Sequence, residues 1–346
     1  MLREPDPSDR QPPEFLAKVP ARKGDDLAAR SHKIPAPRAL VPIARLAATL
    51  RRLVTIKTEG TRLDDLKLVR HLAGLRPLVR LPRRPRRAWT ARLQAYWDQA
   101  KIMGPCWHDQ SAAIAWLKRW RGPQGLEVIV VDDEGHARWY PLTKPGQAPV
   151  PARPVKPPDS GTMVLALGDL GFAADDQARQ ALWTGFRERA RRAGAHRRAL
   201  VLCPKSRWQS HEAALWNAVD WERPRGRAAA GGSPPDRATL LEALLLRLSP
   251  AIRIETGLLR DVRLFAARDF PGTDLGIELD AWMDSRAVFR NSALGMVLDP
   301  AQAQAWRAAF LDFPEPYRKQ VAAILARFHG RLARDILAEE ELACGS

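Results

Sequence analysis

The chain of 346 residues predicts an α/β protein: an open, mainly parallel sheet with flanking helices, followed by a mainly helical C-terminal domain. Two observations lead there. Short continuous apolar runs, LEVIVV (126–131), MVLAL (163–167) and RALVLCP (198–204), alternate with segments of helical periodicity, which is how strands buried on both faces read. Beyond residue 236 the strand runs stop, and leucines recur at three- and four-residue steps instead.

Residues 1–37 are rich in proline, charge and small residues with little to bury, so a disordered or docking tail is expected there. Residues 38–88 read as a helical lead-in. Leu40, Ile43, Leu46, Leu50 and Leu53 mark one helix face; Thr61 precedes a second amphipathic helix with Leu63, Leu66, Val69 and Leu72, stopped by Gly74. LVRLPRRPRRAW then carries Pro82 and Pro85, which exclude a helix interior and predict an extended connector.

Residues 89–228 hold the predicted sheet. Leu93–Trp97 form its first strand; Asp109 or Ser111 caps a helix with Ile114, Leu117 and Trp120 that ends at Gly122. LEVIVV, the turn DDEGHA and RWYPL form a hairpin, and the Pro- and Lys-containing stretch 144–158 is an insertion. The strand at Met163–Leu167, a helix with Leu182, Phe186 and Ala190, and RALVLCP follow. Strand, helix, hairpin, strand, helix, strand is the order of a sheet wrapped by helices. AAAGGSPP marks a linker into a helical domain over 229–346. There Asp236 precedes a Leu-rich helix, Asp299-Pro300 is a strong helix start, and the last helix carries Val321, Ile324, Leu325, Phe328 and Leu332, with Gly330 as its soft point.

A net charge of +17 favours acidic partners: nucleic acid, an anionic membrane surface or an acidic protein face. The heavy use of Arg, Ala, Pro and Leu, with scarce Tyr, also fits a GC-rich coding bias. Cys106, Cys203 and Cys344 show no paired spacing, so neither a disulfide framework nor a zinc knuckle is implied, and a reducing cytoplasm fits. No stretch approaches the about 20 apolar residues that span a bilayer, and the N-terminus has no apolar signal core, so no membrane partner is expected. GxxxxGK[ST], GxGxxG and HExxH are absent, so no nucleotide phosphate loop or zinc-protease helix is encoded.

Two acids close strands: Asp98 after RLQAYW and Asp169 after VLALG. Ligands of open α/β sheets sit beyond the carboxyl ends of the strands where strand order reverses. If these strands are neighbours, both carboxylates face one crevice, a geometry for a divalent cation.

DQAKI at 98–102, the helix and hairpin after it, and VLALGDLG resemble a von Willebrand factor A (vWA) domain. The resemblance implies a Mg²⁺ site in which Asp98 matches the first acid of Asp-x-Ser-x-Ser and Asp169 the later acid. Ala100 and Ile102 stand in place of the two serines, and Gly168 in place of the usual Thr, so two direct oxygen ligands are missing. The preferred reading makes Asp98 and Asp169 polar strand ends capping the turns that follow, with a Mg²⁺ held by carboxylates and water as the alternative. With RRPRRAW, WHDQ, CPKSRW and TDLGIELDAWMDS, the chain over roughly residues 40–340 is similar to vWA-like proteins of bacterial NTP-dependent conflict systems. The resemblance implies a role in defence or signalling with a partner AAA+ ATPase or effector protein; the leading reading is a non-enzymatic adaptor with no cofactor, Mg²⁺ being the alternative. The chain lacks the Trp- and Gly-rich segments of the formylglycine-generating-enzyme domain carried by fused members.

Arg83, Arg84, Arg86 and Arg87, with Trp89, form the densest basic run, and Arg189, Arg191, Arg192, Arg197 and Arg198 a second. Arginines beside an aromatic can neutralise phosphates and stack bases, so a nucleic-acid-binding component is the alternative function. The second alternative is a divergent Mg-dependent or thiol hydrolase, with Cys203, or Cys106 beside His108, as its thiol. Asp274, Glu278, Asp280 and Asp284 form a further acidic group, better explained as solvated or helix-dipole partners than as a cation site. Trp97, Trp107, Trp116, Trp120, Trp208, Trp216 and Trp221 are expected as core or interface anchors.

Overall fold

The computed structural model describes residues 35–74, 77–122, 124–141, 154–174, 176–222, 236–270, 272–292, 295–330 and 334–345. Residues 1–34, most of the 144–158 insertion, the AAAGGSPP tract and Leu332 lie outside the described residues.

The first elements are α1 (Ile43–Leu53), β1 (Thr55–Leu63), α2 (Asp65–Ala73) and β2 (Arg83–Trp89). Leu46, Leu50 and Leu53 of α1 are buried, as their spacing predicts. The second predicted helix is present as α2 and ends at Gly74, but the segments on either side of it depart from the helical reading: β1 and β2 pair antiparallel as a two-stranded ribbon, so RRPRRAW is a strand and not a connector. Its register runs from Thr55↔Trp89 to Glu59↔Pro85, then shifts before Leu63↔Arg83. Gly60 lies at that irregularity, where an added Cβ would collide with the Arg84 carbonyl. Pro85 is tolerated because only one side of β2 is paired. Asp64, not Thr61, starts α2: its Oδ1 accepts from Lys67 N at 3.3 Å.

β3 (Leu93–Asp98), a 3₁₀ turn (Lys101–Cys106), α3 (Trp107–Arg121), β4 (Leu126–Val131), β5 (Ala137–Tyr140), β6 (Met163–Gly168), α4 (Gln177–Arg192), β7 (His196–Val201), α5 (Ser210–Trp216) and β8 (Ala218–Asp220) build the sheet and its cover. The strand order is β5-β4-β3-β6-β7-β8, and only β5, the hairpin partner of β4, is antiparallel. Order reverses between β3 and β6, which pair directly from Leu93↔Met163 to Trp97↔Leu167. Every residue of β3 and β6 is buried, because helices cover both faces. Adjacent side chains on β3 show it: Trp97 Nε1 donates to Gln110 of α3 at 3.1 Å, whereas the Tyr96 ring lies 4.9 Å from Phe186 of α4. Asp109 is not the expected cap. α3 starts at Trp107, and Asp109 is buried in its first turn.

α6 (Arg237–Leu248), α7 (Thr256–Ala266), α8 (Leu275–Met283), β9 (Val288–Ser292), β10 (Gly295–Leu298), α9 (Pro300–Phe310), α10 (Glu315–His329) and α11 (Arg334–Cys344) complete the chain. Asp299 caps α9 as its sequence predicts, accepting from Ala301 N and Gln302 N. The β9–β10 hairpin is an addition to the helical expectation. A second apolar cluster, including Leu244, Leu258, Trp282, Phe310 and Val321, lies among these elements. Leu275 and Leu279 of α8 instead join the cluster around the sheet. Residues 36–346 form one unit. No helix among the described residues is long and apolar enough to cross a membrane.

α7 and α8 pack over the 3₁₀ turn that leaves β3. Gly104 of that turn lies so close to Trp282 of α8 that a Cβ would sit 2.7 Å from the indole Nε1. Arg260 of α7, fully buried, donates to the Pro105 carbonyl at 2.8 Å, to Asp109 Oδ2 at 2.5 Å and to Glu278 Oε2 at 3.2 Å. A buried ion pair to α3 and a hydrogen bond to the turn after β3 thus bind α7 to the carboxyl edge of the sheet.

Candidate functional site

The strand-reversal point brings Asp98 and Asp169 together, and it adds a residue that sequence reasoning passed over. Asp98 ends β3 and its Oδ1 accepts from Ala100 N at 3.2 Å. Asp169 follows β6 and organises the GDLG turn: Oδ1 accepts from Gly171 N at 2.9 Å and Oδ2 from Ala173 N at 3.1 Å. Leu170 and Gly171 adopt positive φ of 59° and 81° there. Arg179, in the first turn of α4, reaches between the acids; its Nη2 donates to Asp98 Oδ2 at 2.6 Å and to Asp169 Oδ1 at 3.2 Å. Asp98, Asp169 and Arg179 are 0%, 1% and 7% exposed.

Burial pushes the Asp98 carboxyl up, to about 7; Arg179 opposes that shift and the Asp169 charge adds to it. Burial works against the Arg179 charge as well, yet Asp98 and Asp169 together hold its pKa above the ordinary value. Gly168 makes room for this arrangement, since a Cβ there would lie 2.5 Å from Asp98 Cβ. The Thr usual at that position in vWA domains has no space here.

These residues do not fit the Mg²⁺ that the resemblance implies. All four carboxylate oxygens already accept from backbone N–H or from Arg179, and Ala100 and Ile102 offer no side-chain oxygen. The guanidinium supplies the positive charge between the two acids. The cap-like role predicted for both acids is present, with the ion pairs to Arg179 in addition.

The other acids are also committed to arginines. Asp274 caps α8 by accepting from Gly276 N at 2.9 Å. Glu278 accepts from Arg260 and Arg263, Asp280 from Arg207 and Arg237, and Asp284 from Arg286. Among the described residues no three His, Cys, Asp or Glu side chains converge as a metal site.

The thiols fare no better as nucleophiles. Burial raises both Cys203 and Cys106 well above the usual thiol range, which keeps them protonated. His108 is exposed while Cys106 is buried. Of the tryptophans, Trp97, Trp216 and Trp221 are buried as expected; Trp116 lies 4.4 Å from Trp120, ring to ring.

The basic run lies on the ribbon. Arg83, Arg84, Arg86 and Arg87 are all exposed; Arg83 donates to the Thr61 carbonyl at 3.0 Å and Arg84 pairs with Asp65 at 2.9 Å. Trp89 is chiefly the ribbon's anchor: it meets the Trp120 ring edge-on at 5.1 Å, with Arg121 over its face at 5.3 Å. The second run approaches the first at one point. Arg198 of β7 has its pKa lowered by burial and then by repulsion from Arg197 and from Arg87 of the ribbon.

Arg179 had a sequence signal. A cation in the first turn of a helix opposes the helix dipole, and α4 carries Arg179 there with no acid in that turn, just after the Asp176 cap. Arg260 had none, because its partners lie 151 and 18 residues away along the chain.

No protein-family model, curated protein or solved structure matches the chain.

Proposed function

We propose that the protein is a non-enzymatic adaptor: a vWA-like α/β scaffold with a helical C-terminal domain that binds a partner ATPase or effector in the cytoplasm of a bacterium, within a defence or conflict-signalling system. One observation carries the reading. The reversal point, where an open α/β sheet takes its ligand, is filled by Arg179 between Asp98 and Asp169, and α7 and α8 pack over the adjoining turn. A sheet that closes this crevice with its own side chains works through its surface. The hairpin at the sheet edge and the pairing of the two Asp-ended strands support the vWA-like assignment. The conflict-system context rests on the sequence resemblance.

Co-expression with the products of adjacent genes, followed by size-exclusion chromatography, tests the adaptor. A stable complex with an ATPase or effector is expected; a chain that elutes alone in every combination defeats the reading.

The exposed arginines of β2 favour a second reading, a nucleic-acid-binding surface. It requires binding that weakens steeply with salt, with a slope reduced when Arg83, Arg84, Arg86 and Arg87 become alanine. Absence of DNA or RNA affinity at low salt eliminates it.

A further inference from the structure

The arm made of β1, α2 and β2 leaves apolar surface in water. α2 buries none of its residues, and Leu66, Val69 and Leu72 are 70%, 60% and 57% exposed. Three-residue spacing places them along one stripe. Leu63, where β1 leads into α2, extends it at 39% exposed. A nine-residue helix is marginal by itself and is normally held by burying such a stripe, so this one is stable only through the ribbon that carries it. Contiguous apolar surface rimmed by charge marks a contact site.

The rim identifies the occupant. From Thr55 to Trp89 the sequence has ten Lys and Arg against three Asp and Glu, a net of +7. The three acids are engaged within the arm: Asp64 caps α2, Asp65 pairs with Arg84 at 2.9 Å, and Glu59 pairs with Arg80. Arg86 and Arg87 form no ion pair among the described residues.

We infer that the arm docks an acidic amphipathic segment of a partner protein, with apolar side chains on Leu66, Val69 and Leu72 and carboxylates against the arm's exposed arginines. This rests on the adaptor reading and gives it a surface. A second copy of the chain would set +7 against +7, and a polynucleotide has no use for the leucine stripe.

The test measures fluorescence anisotropy of synthetic peptides with the full chain at physiological salt. One peptide carries Leu at three- and four-residue steps and Glu elsewhere; its control has Ser for each Leu at equal charge. Phosphatidylglycerol vesicles and a DNA duplex are run in parallel. The leucine peptide is expected to bind about tenfold or more tighter than its control, the gain of burying a leucine or more. L66S/V69S/L72S should abolish that difference while the chain keeps a cooperative thermal melt, since all three side chains are largely exposed. Equal binding of both peptides, binding of neither, tighter binding to vesicles or DNA, or an unaltered preference in the triple variant overturns the proposal. The adaptor reading fails separately. A native partner complex that persists in L66S/V69S/L72S removes the arm and leaves the adaptor; a leucine-peptide preference with no native complex does the reverse.

Discussion

Arg179 Nη2 lies 2.6 Å from Asp98 Oδ2, bridging α4 to the end of β3 in a site closed to water. This contact turns a candidate ligand site into part of the scaffold, so its removal should register as lost stability. Arg179→Met leaves the Asp98 and Asp169 carboxylates buried without their cation, at a cost of about 3–5 kcal/mol at neutral pH. The sign with pH follows from Asp98. Its folded pKa is raised, so its stabilising protonated form is fully present below the ordinary carboxylate value and is lost as pH rises toward about 7. The R179M deficit should therefore be smaller at pH 5 than at pH 7.5 in urea melts; an equal deficit at both contradicts the assignment.

Gly168 and Asp98 should behave as one unit. Gly168→Ala drives a methyl into Asp98 Cβ and should cost about 2 kcal/mol. In an Asp98→Gly background the same change meets no Cβ, and most of that cost should disappear in a double-mutant cycle. Additive effects would show that the two residues do not touch.

Arg260 of α7 joins α3 through Asp109 and α8 through Glu278. Arg260→Met should destabilise by about 3–5 kcal/mol, because Asp109 is left buried without its cation while Glu278 keeps only Arg263. Hydrogen exchange should accelerate in α3 as well as in α7 and α8. Acceleration confined to α7 would mean that the ion pairs do not couple these elements.

His329 is buried with Nδ1 at 2.7 Å from Glu340 Oε1 and Nε2 at 2.8 Å from Glu255 Oε2, an arrangement that requires both nitrogens protonated. Burial lowers its pKa, but the two carboxylates overcome that and push it up to about 9. The stability it contributes is complete below its ordinary value near 6.5 and lost as pH rises through about 9. The loss should be about 3 kcal/mol between pH 6 and pH 10. His329→Gln should flatten that part of the curve; a wild-type melt already flat there would rule out the imidazolium.

The sheet was legible because β3, β4 and β6 are buried on both faces, and a strand buried on both faces leaves a continuous apolar run in the sequence. The β1–β2 ribbon was not. TIKTEGTRL buries only Thr55 and Gly60, and RRPRRAW buries nothing, so neither strand carries a hydrophobic pattern to read. The three-residue β8 is too short for periodicity, and the β9–β10 hairpin lies among leucine-rich helices.

By itself, then, the sequence determined that the strands of the sheet enter the core, that Asp98 and Asp169 end strands, and where arginine accumulates. Those properties are local: they follow from side-chain polarity and its period along the chain. Only the tertiary structure decided that β3 and β6 are neighbours, that Arg179 stands between their acids, and that α7 and α8 cover the turn beside them. Each of those outcomes joins residues far apart in the chain. A buried charge finds its partner through space, where removal from water makes pairing obligatory, and sequence spacing carries no record of that choice.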